Sequence, residues 1–269
     1  MTRIRPAAIA GTFYPGDAAE LDRTVTDYLN AALRDAGPAR GRPVPKAIIA
    51  PHAGHIYSGR AAADAYIRFA PARKTITRVI LMGPCHRVAV RGLATTSADS
   101  WETPLGRVPI DRASIAAVSD LPFITEHDTA HTQEHSLEVH LPFLQKLLPS
   151  FSLVPFAVGQ ATNEEVSQVL ETLWGGPETA IVISSDLSHF LPCDAAREID
   201  GKTAAAIEAF DWRAIGRDQA CGRVPISGLL TSAENRHMKI DRVALCNSGD
   251  TAGPKDRVVG YGAWTLSEQ

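Results

Sequence analysis

Apolar runs alternate with amphipathic segments along almost the whole chain. The apolar runs are rich in β-branched residues and bounded by turn formers, and they predict strands at 46–50, 78–83, 152–158, 179–185, 242–247 and 257–266. The segments between them predict helices at 17–34, 58–69, 111–119, 136–148, 163–174, 195–209 and 225–236. This alternation predicts an α/β fold in which helices cover both faces of a sheet. The last run contains glycines and a tryptophan, Trp264, that we expect to be exposed, so an antiparallel strand is predicted there.

Prolines and glycines predict loops at 36–45, 174–178 and 249–256. The first of these loops has the composition of a linker, but the segment before it is too short to fold alone. The sequence contains no internal repeat and no low-complexity tract. We therefore predict a single domain over residues 1–269.

Composition and charge exclude several classes of protein. The chain has 269 residues, of which 45% are hydrophobic and 21% charged, and its net charge is −3. A sequence-independent nucleic-acid binder needs a basic surface, so no nucleic-acid partner is expected. No apolar segment approaches the ~20 residues that span a bilayer, and the charged N-terminus does not resemble a signal peptide. We expect a cytoplasmic protein without a membrane partner.

Three predicted strands run directly into segments that contain a histidine. His52 follows KAIIA, His86 follows RVILMG, and His189 follows TAIVISS. The carboxyl ends of parallel strands meet at one edge of a sheet, which is where ligands bind in open α/β folds. Neutral imidazoles that lie close together are natural ligands for first-row transition metals. A single loop histidine would be interpreted as a hydrogen-bonded structural residue, but three in equivalent positions predict a site.

The sequence leaves the third member of a metal site open. The four cysteines are widely spaced without a CxxC pair, which excludes a disulfide framework and a structural zinc knuckle. Cys221 precedes a predicted helix and has polar flanks, so its thiolate would be stabilised by the helix N-terminus and by a metal. Cys85 is a rival because it is adjacent to His86. Asp186 is another candidate, although it could instead orient His189.

The most polar segment is AHTQEHSLEVHLPFLQKLLP, at 130–149. The order of its residues differs from the HExxH motif of zinc proteases. In a continuous helix His135 and Glu138 would share one face, while His140 would point away. We interpret His135, with Glu134 or Glu138, as lining or bracing the site. A capping and packing cluster at a helix start is an equally good interpretation.

Several motifs together resemble one known family. AGTFYPGD, APHAGHIYSG, GPCHRV, TPLG, EHSLEVHLPFLQ, SSDLSHF, CGRVPISG and GYGAWTL occur in this order and are similar to motifs of the MEMO family, whose prokaryotic members are called AmmeMemoRadiSam system protein B. The resemblance runs nearly from end to end. It implies a fold similar to that of the class III extradiol (LigB-like) dioxygenases, which is a three-layer αβα sandwich around a central mixed sheet.

The resemblance also implies roles for particular residues. The metal ligands of the family correspond to His52, His86 and Cys221. His189 corresponds to an acid/base residue, with Asp186 three residues before it, and we group His135 with these two as a catalytic candidate. The dioxygenases use a carboxylate where this family has a cysteine, so dioxygenase activity does not follow from the resemblance.

Three functions are compatible with these observations. The first is a metal-dependent redox enzyme that holds iron(II) or copper and acts on an unknown small molecule or peptide. The second is a non-catalytic binding or adaptor protein that uses an inherited dioxygenase pocket. The third is a cysteine hydrolase with Cys221 as nucleophile. The family name further implies an AMMECR1-like protein and a radical SAM protein as partners.

Overall fold

The computed structural model describes residues 2–37 and 43–268. Its strands are β1 (Ile4–Arg5), β2 (Ala47–Ala50), β3 (Arg78–Pro84), β4 (Leu93–Thr95), β5 (Ser100–Thr103), β6 (Gly106–Pro109), β7 (Ile124–Glu126), β8 (Ser152–Val158), β9 (Thr179–Ser184), β10 (His189–Leu191), β11 (Lys239–Asn247) and β12 (Val258–Ser267). Its α-helices are α1 (Ala18–Ala36), α2 (His55–Tyr66), α3 (Arg112–Val118), α4 (Asp128–Thr132), α5 (His135–Glu138), α6 (Leu141–Leu147), α7 (Asn163–Leu173), α8 (Cys193–Glu208) and α9 (Arg223–Asn235). Short 3₁₀ turns lie at Ile67–Ala72, Trp212–Ala214 and Ser248–Asp250.

A mixed sheet forms the middle layer of the molecule. Its strand order is β10-β12-β2-β9-β3-β8-β4-β7, and β11 pairs with β12. The four central strands β2, β9, β3 and β8 are parallel, whereas β12 is antiparallel to β2. Parallel strands need crossover helices, which cover both faces and account for the almost continuous burial of the central strands. A small second sheet has the order β1-β5-β6.

Helices form the two outer layers. One layer contains α1, α2 and α6, which contact one another, and α2 also contacts β2 and β12. The other layer contains α3, α7 and α9, and α9 contacts β3 and β9. The predicted three-layer αβα sandwich around a mixed sheet is confirmed.

The six predicted strands and the positions of the predicted helices are confirmed to within a few residues, with one change. The helix predicted at 136–148 is two helices, α5 and α6, with Pro142 at the start of the second. Proline has no N–H to donate and fits the first turn of a helix, so a new helix begins there. The short strands β1, β4, β5, β6, β7 and β10 and the helix α4 were not predicted.

Two further expectations need comment. Trp264 is fully buried, and its indole N–H donates to Glu208 Oε1 at 3.2 Å, so the expectation that it is exposed was wrong. The antiparallel direction predicted for its strand is confirmed by the pairing of β12 with β2 and β11. The loop predicted at 36–45 lies in part outside the described residues. Within residues 2–37 and 43–268, no helix is both long and apolar enough to cross a membrane.

Candidate metal centre

The carboxyl ends of three neighbouring strands place the candidate residues side by side. β9 lies between β2 and β3, and all three strands run in the same direction. His52 follows β2, His86 follows β3, and Asp186 follows β9. The carboxyl ends of these strands therefore meet at one edge of the sheet, as predicted.

The ring of His52 is buried, and its hydrogen bonds fix its tautomer. Nδ1 lies 2.6 Å from Ser184 Oγ, and that hydroxyl donates to the carbonyl of Ser136 at 2.6 Å. The single hydroxyl proton of Ser184 is thus used, so Nδ1 of His52 must be the donor to Ser184. The lone pair of His52 is consequently on Nε2, which lies 3.3 Å from Cys221 Sγ and 4.0 Å from Asp186 Oδ2.

His86 is held by the buried carboxylate of Glu134. Its Nδ1 lies 2.9 Å from Glu134 Oε1, and its backbone N–H donates to Oε2 at 2.5 Å. The backbone N–H of Ser136 also donates to Oε1, at 3.0 Å. Burial raises the pKa of Glu134, but the hydrogen bond and charge of His86 and the two backbone donors outweigh it and lower the pKa to about 2. An ionised Glu134 accepts a hydrogen bond from Nδ1–H, so the lone pair of a neutral His86 imidazole lies on Nε2.

His135 completes a group of three imidazoles. The ligand nitrogens of His52, His86 and His135 all lie within 4.8 Å of one another; we call these residues the three-histidine group. The rings of His86 and His135 are stacked with centroids 4.8 Å apart. Nδ1 of His135 lies 3.3 Å from Glu134 Oε1, yet it is buried and makes no hydrogen bond within the described chain.

Burial favours the neutral form of two of these imidazoles, those of His52 and His135. It lowers the pKa of His135 to about 4 and that of His52 well below the ordinary value, with the charges of neighbouring histidines adding to the effect on His52. Only neutral imidazole has a lone pair to offer a metal ion. The two fixed tautomers and the unpaired nitrogen of His135 therefore fit a transition-metal site.

Cys221 lies against the three-histidine group but, among the described residues, is not part of it. Its Sγ contacts His52 Nε2 and accepts the backbone N–H of Asp186 at 3.3 Å. Burial, with a contribution from the charge of Asp186, raises the pKa of this thiol to about 12. Gly222 allows the close approach of the Cys221 segment, since a Cβ there would lie 2.4 Å from the carbonyl oxygen of Ser184. The assignment of Cys221 as a metal ligand stays a prediction.

Asp186 and His189 lie beside the group. Asp186 Oδ1 accepts the backbone N–H of His52 at 2.8 Å, and burial raises the pKa of this carboxyl to about 7. Burial also lowers the pKa of His189. Both residues line the same cavity as His135. Their predicted part in proton transfer is compatible with this placement and stays a prediction.

A cavity of about 550 Å³ leads from His135, Asp186 and His189 toward the surface. We call it the aromatic pocket because its other walls are largely aromatic or apolar: Phe13, Ala53, Gly54, Tyr57, Phe190, Pro254, Val259 and Tyr261, with Ser248, Gly253 and Arg257. A second cavity of about 260 Å³ lies on the side of His86 and Cys221. The three-histidine group is therefore approached from two sides.

The carboxylate of Glu138 contacts the N-terminal segment and not the three-histidine group. It accepts Arg5 Nη1 at 2.6 Å, Tyr14 Oη at 2.5 Å and the backbone N–H groups of Ala8 and Ile9. These contacts anchor the N-terminal segment. Of the two glutamates considered from the sequence, Glu134 braces the site and Glu138 does not.

Sequence reasoning missed several residues that shape the site. Ser184 stands at the end of its strand directly before the SDLSH segment, and a hydroxyl in that position was the available signal. Ser136 matters through its backbone carbonyl, which no side-chain pattern reveals. The wall residues Tyr57, Phe190 and Arg257 come from separate loops and carry no shared spacing.

Comparisons with known proteins agree with the motifs. A family model described as "Memo-like protein" matches residues 5–265. A curated protein of Aquifex aeolicus named "MEMO1 family protein" is 35% identical over 270 residues, which cover 96% of this chain and 97% of the relative. A protein of the same name from Metallosphaera sedula is 31% identical over 284 residues, covering 98% and 99% of the two chains. Among solved structures, an uncharacterized protein (JW3007) from Escherichia coli K12 matches with a TM-score of 0.51 and 10% identity over 81% of this chain and 98% of that one, which shows a shared fold alone.

Proposed function

The chain belongs to the Memo family, and from this premise we propose that it is a metal-dependent redox enzyme whose ion is held by His52 and His86. The observation that carries the proposal is the pair of fixed tautomers. Ser184 and Glu134 each accept a hydrogen bond from an Nδ1–H, so in the neutral imidazoles both Nε2 lone pairs are available to the same ion. A cluster of purely structural histidines would have no need for both rings to be oriented in this way.

The third ligand comes from His135 or Cys221. His135 has its nitrogen within 4.8 Å of those of His52 and His86. The Cys221 thiol lies 3.3 Å from His52 Nε2, and the family resemblance favours it. Imidazole and thiolate ligands both suit iron(II) and copper, and a thiolate favours copper more strongly. The ion, when bound, would supply the electron transfer or the activation of an oxidisable substrate.

The protein's own residues would orient the ligands and move protons. Glu134 holds His86 in one orientation through its ring and backbone N–H groups. Asp186 titrates near neutral pH, where a group can both accept and return a proton. His189 shares the aromatic pocket with Asp186 and is the second candidate for proton transfer to a bound molecule.

The cysteine hydrolase is a weaker candidate in this structure. The distance of 3.3 Å between Cys221 Sγ and His52 Nε2 is that of a nucleophile and its base. However, burial lowers the pKa of His52 and raises that of Cys221 to about 12, which opposes a thiolate–imidazolium pair. Reactive cysteines have the opposite shift of pKa.

The test is the metal content of anaerobically purified protein, measured by mass spectrometry. We expect near-stoichiometric iron or copper in the wild type and a loss of most of it in His52→Ala. Cys221→Ser and His135→Gln decide the third ligand, because the variant that removes a ligand loses metal and the other retains it. His237→Asn, at an exposed position outside the site, is the control and should bind as the wild type does.

Wild-type protein that holds no metal even after anaerobic reconstitution would contradict the proposal. The adaptor hypothesis would then be the better account of the pocket. Metal that survives in His52→Ala would also contradict it, because the ion would then be bound elsewhere.

A further inference from the structure

The aromatic pocket has two chemically different ends. Asp186 and His135 are at its inner end, where the side chains are mostly buried. Phe190, which is 59% exposed, and Arg257, which is also exposed, are at the outer end. A molecule that fills the pocket would therefore meet the metal site at one end and a cation at the other.

Among the described residues that line this pocket, Arg257 is the only lysine or arginine. Its guanidinium lies 4.5 Å from the centre of the Phe190 ring, and no carboxylate in the described chain forms an ion pair with it. Arg236 is a useful contrast, because it lies over Trp174 and also pairs with Glu171 Oε2 at 2.5 Å. The hydrogen-bond donors of Arg257 remain available for a ligand.

The backbone of Phe190 supports a ligand-binding role for this end of the pocket. Phe190 has φ 61°, in the left-handed region that a bulky side chain rarely occupies. Its ring is exposed, so burial in the core does not compensate the strain. The conformation places the ring against the Arg257 guanidinium and 5.7 Å from the His189 ring. Strain of this kind is concentrated where it positions a side chain for binding.

We propose that the aromatic pocket binds a small monocarboxylate with an aromatic or flat apolar body. The carboxylate pairs with Arg257, the body lies between Tyr57, Phe190 and Tyr261, and the far end points to the three-histidine group. A planar guanidinium matches a carboxylate through two parallel hydrogen bonds. A volume of about 550 Å³ suits a small metabolite rather than a folded partner.

The charge of the pocket favours a carboxylate over a phosphate. A phosphate dianion is usually held by more than one cation or by backbone amides, whereas the lining supplies the single guanidinium of Arg257 and the acidic Asp186. The assignment of this molecule as a substrate rests on the proposed metal-dependent function. The assignment of the pocket as a carboxylate-binding site is independent of that function.

The test measures the binding of three probes by isothermal titration calorimetry. The probes are hydrocinnamate, its neutral isostere hydrocinnamide, and phenyl phosphate. We expect hydrocinnamate to bind at least about tenfold more tightly than the amide, because a charge-assisted pair is lost in the amide. Phenyl phosphate should bind more weakly than hydrocinnamate.

Two arginine variants locate the carboxylate. Arg257→Gln should abolish the preference of hydrocinnamate over its amide. Arg213→Gln is the matched control, since Arg213 is exposed and lies 4.3 Å over the Trp212 ring but does not line the pocket, and it should keep the preference. Both substitutions are at exposed positions, so folding should be retained.

Three results would overturn the proposal: no binding of hydrocinnamate, a preference for phenyl phosphate, or a preference over the amide that survives in Arg257→Gln. Repeating the titration with His86→Ala separates this proposal from that of the metal function. If this metal-deficient protein retains the carboxylate preference, the binding site stands whatever the metal analysis shows. If it loses the preference while Arg257 is intact, the carboxylate contacts the metal site instead and the orientation is wrong.

Discussion

Glu134 and Glu138 are one helical turn apart, and both are almost completely buried, yet their carboxylates belong to different hydrogen-bond networks. Glu138 accepts hydrogen bonds from Arg5, from Tyr14 and from two backbone N–H groups. Glu134 accepts hydrogen bonds from the ring and backbone of His86 and from the backbone of Ser136. The comparison shows that residue type and burial do not decide the role of a buried carboxylate.

The two networks differ in the groups at which they end. The guanidinium of Arg5 also donates to the carbonyls of His131 and Glu134, so the network around Glu138 ends in satisfied groups. The network around Glu134 ends in an imidazole whose Nε2 lone pair faces the other histidines. A closed network stabilises a fold, whereas one that ends in a free lone pair prepares a ligand.

The largest effect should come from removing the closed network. Glu138→Ala leaves the buried Arg5 guanidinium without its counter-ion, and breaking a buried pair in this way costs about 3–5 kcal/mol. We expect a large decrease in the free energy of unfolding, measured by urea denaturation. The folded fraction should still bind metal.

The control for this substitution is Glu102→Ala, which removes the exposed ion pair with Arg107 and should cost less than about 1 kcal/mol. If Glu138→Ala loses metal while its stability is unchanged, Glu138 and not Glu134 would be the residue that supports the site.

The second-largest effect should come from acid, which should lower the stability of the region around Glu138. Burial lowers the pKa of His55 to about 4 and that of His140 to about 3; His55 contacts Tyr14, which binds Glu138. A histidine whose folded pKa is depressed contributes stability at high pH that is lost as the pH falls below its unfolded value of about 6.5. We expect the free energy of unfolding to fall by at least about 3 kcal/mol between pH 6.5 and pH 4.

The pH profile can be checked with two histidine variants. His55→Gln should have a shallower dependence on pH, whereas His237→Asn, at an exposed position, should have that of the wild type. Identical profiles for all three proteins would show that the buried histidines do not control acid stability.

The smallest change in stability, and the most specific effect, should come from Glu134→Gln. The amide can still accept the ring proton of His86, but it loses the charge and one acceptor for the backbone N–H. Loss of a group that orients a metal ligand typically lowers metal affinity 10–100-fold. We expect a decrease in this range, measured by competition with a chelator, and a smaller loss of stability than for Glu138→Ala. Unchanged metal affinity would remove the distinction between the two glutamates.

The sequence predicted the sheet edge but not the whole site. His52 and His86 lie at the predicted sheet edge because long apolar strands can be recognised from the sequence and parallel strands bring their carboxyl ends together. Their role as metal ligands stays a prediction. The short strands were missed because two to four residues are too few to show a period. Most of these strands lie at the margins of the sheet or in the small second sheet, but β10 carries His189 and Phe190, which line the aromatic pocket.

The contacts of the 130–149 segment could not be predicted. His135 and Glu138 were predicted to share one helix face and both lie in α5, which ends before a new helix begins at Leu141, yet their side chains have different partners. His135 stacks on His86, while Glu138 binds Arg5. The partners of these residues come from more than a hundred residues away or from another loop, and no local pattern contains that information.

The order of strands in the sheet also sets when the site can form during synthesis. His52 and His86 are both made early, but the strands that carry them, β2 and β3, are not neighbours, because β9 lies between them. A nascent chain that has not yet extended past residue 184 lacks the strand that spaces the two histidines and the serine that orients the first of them. The arrangement of the two histidines is therefore completed only after residue 184 has been synthesised and β9 has entered the sheet.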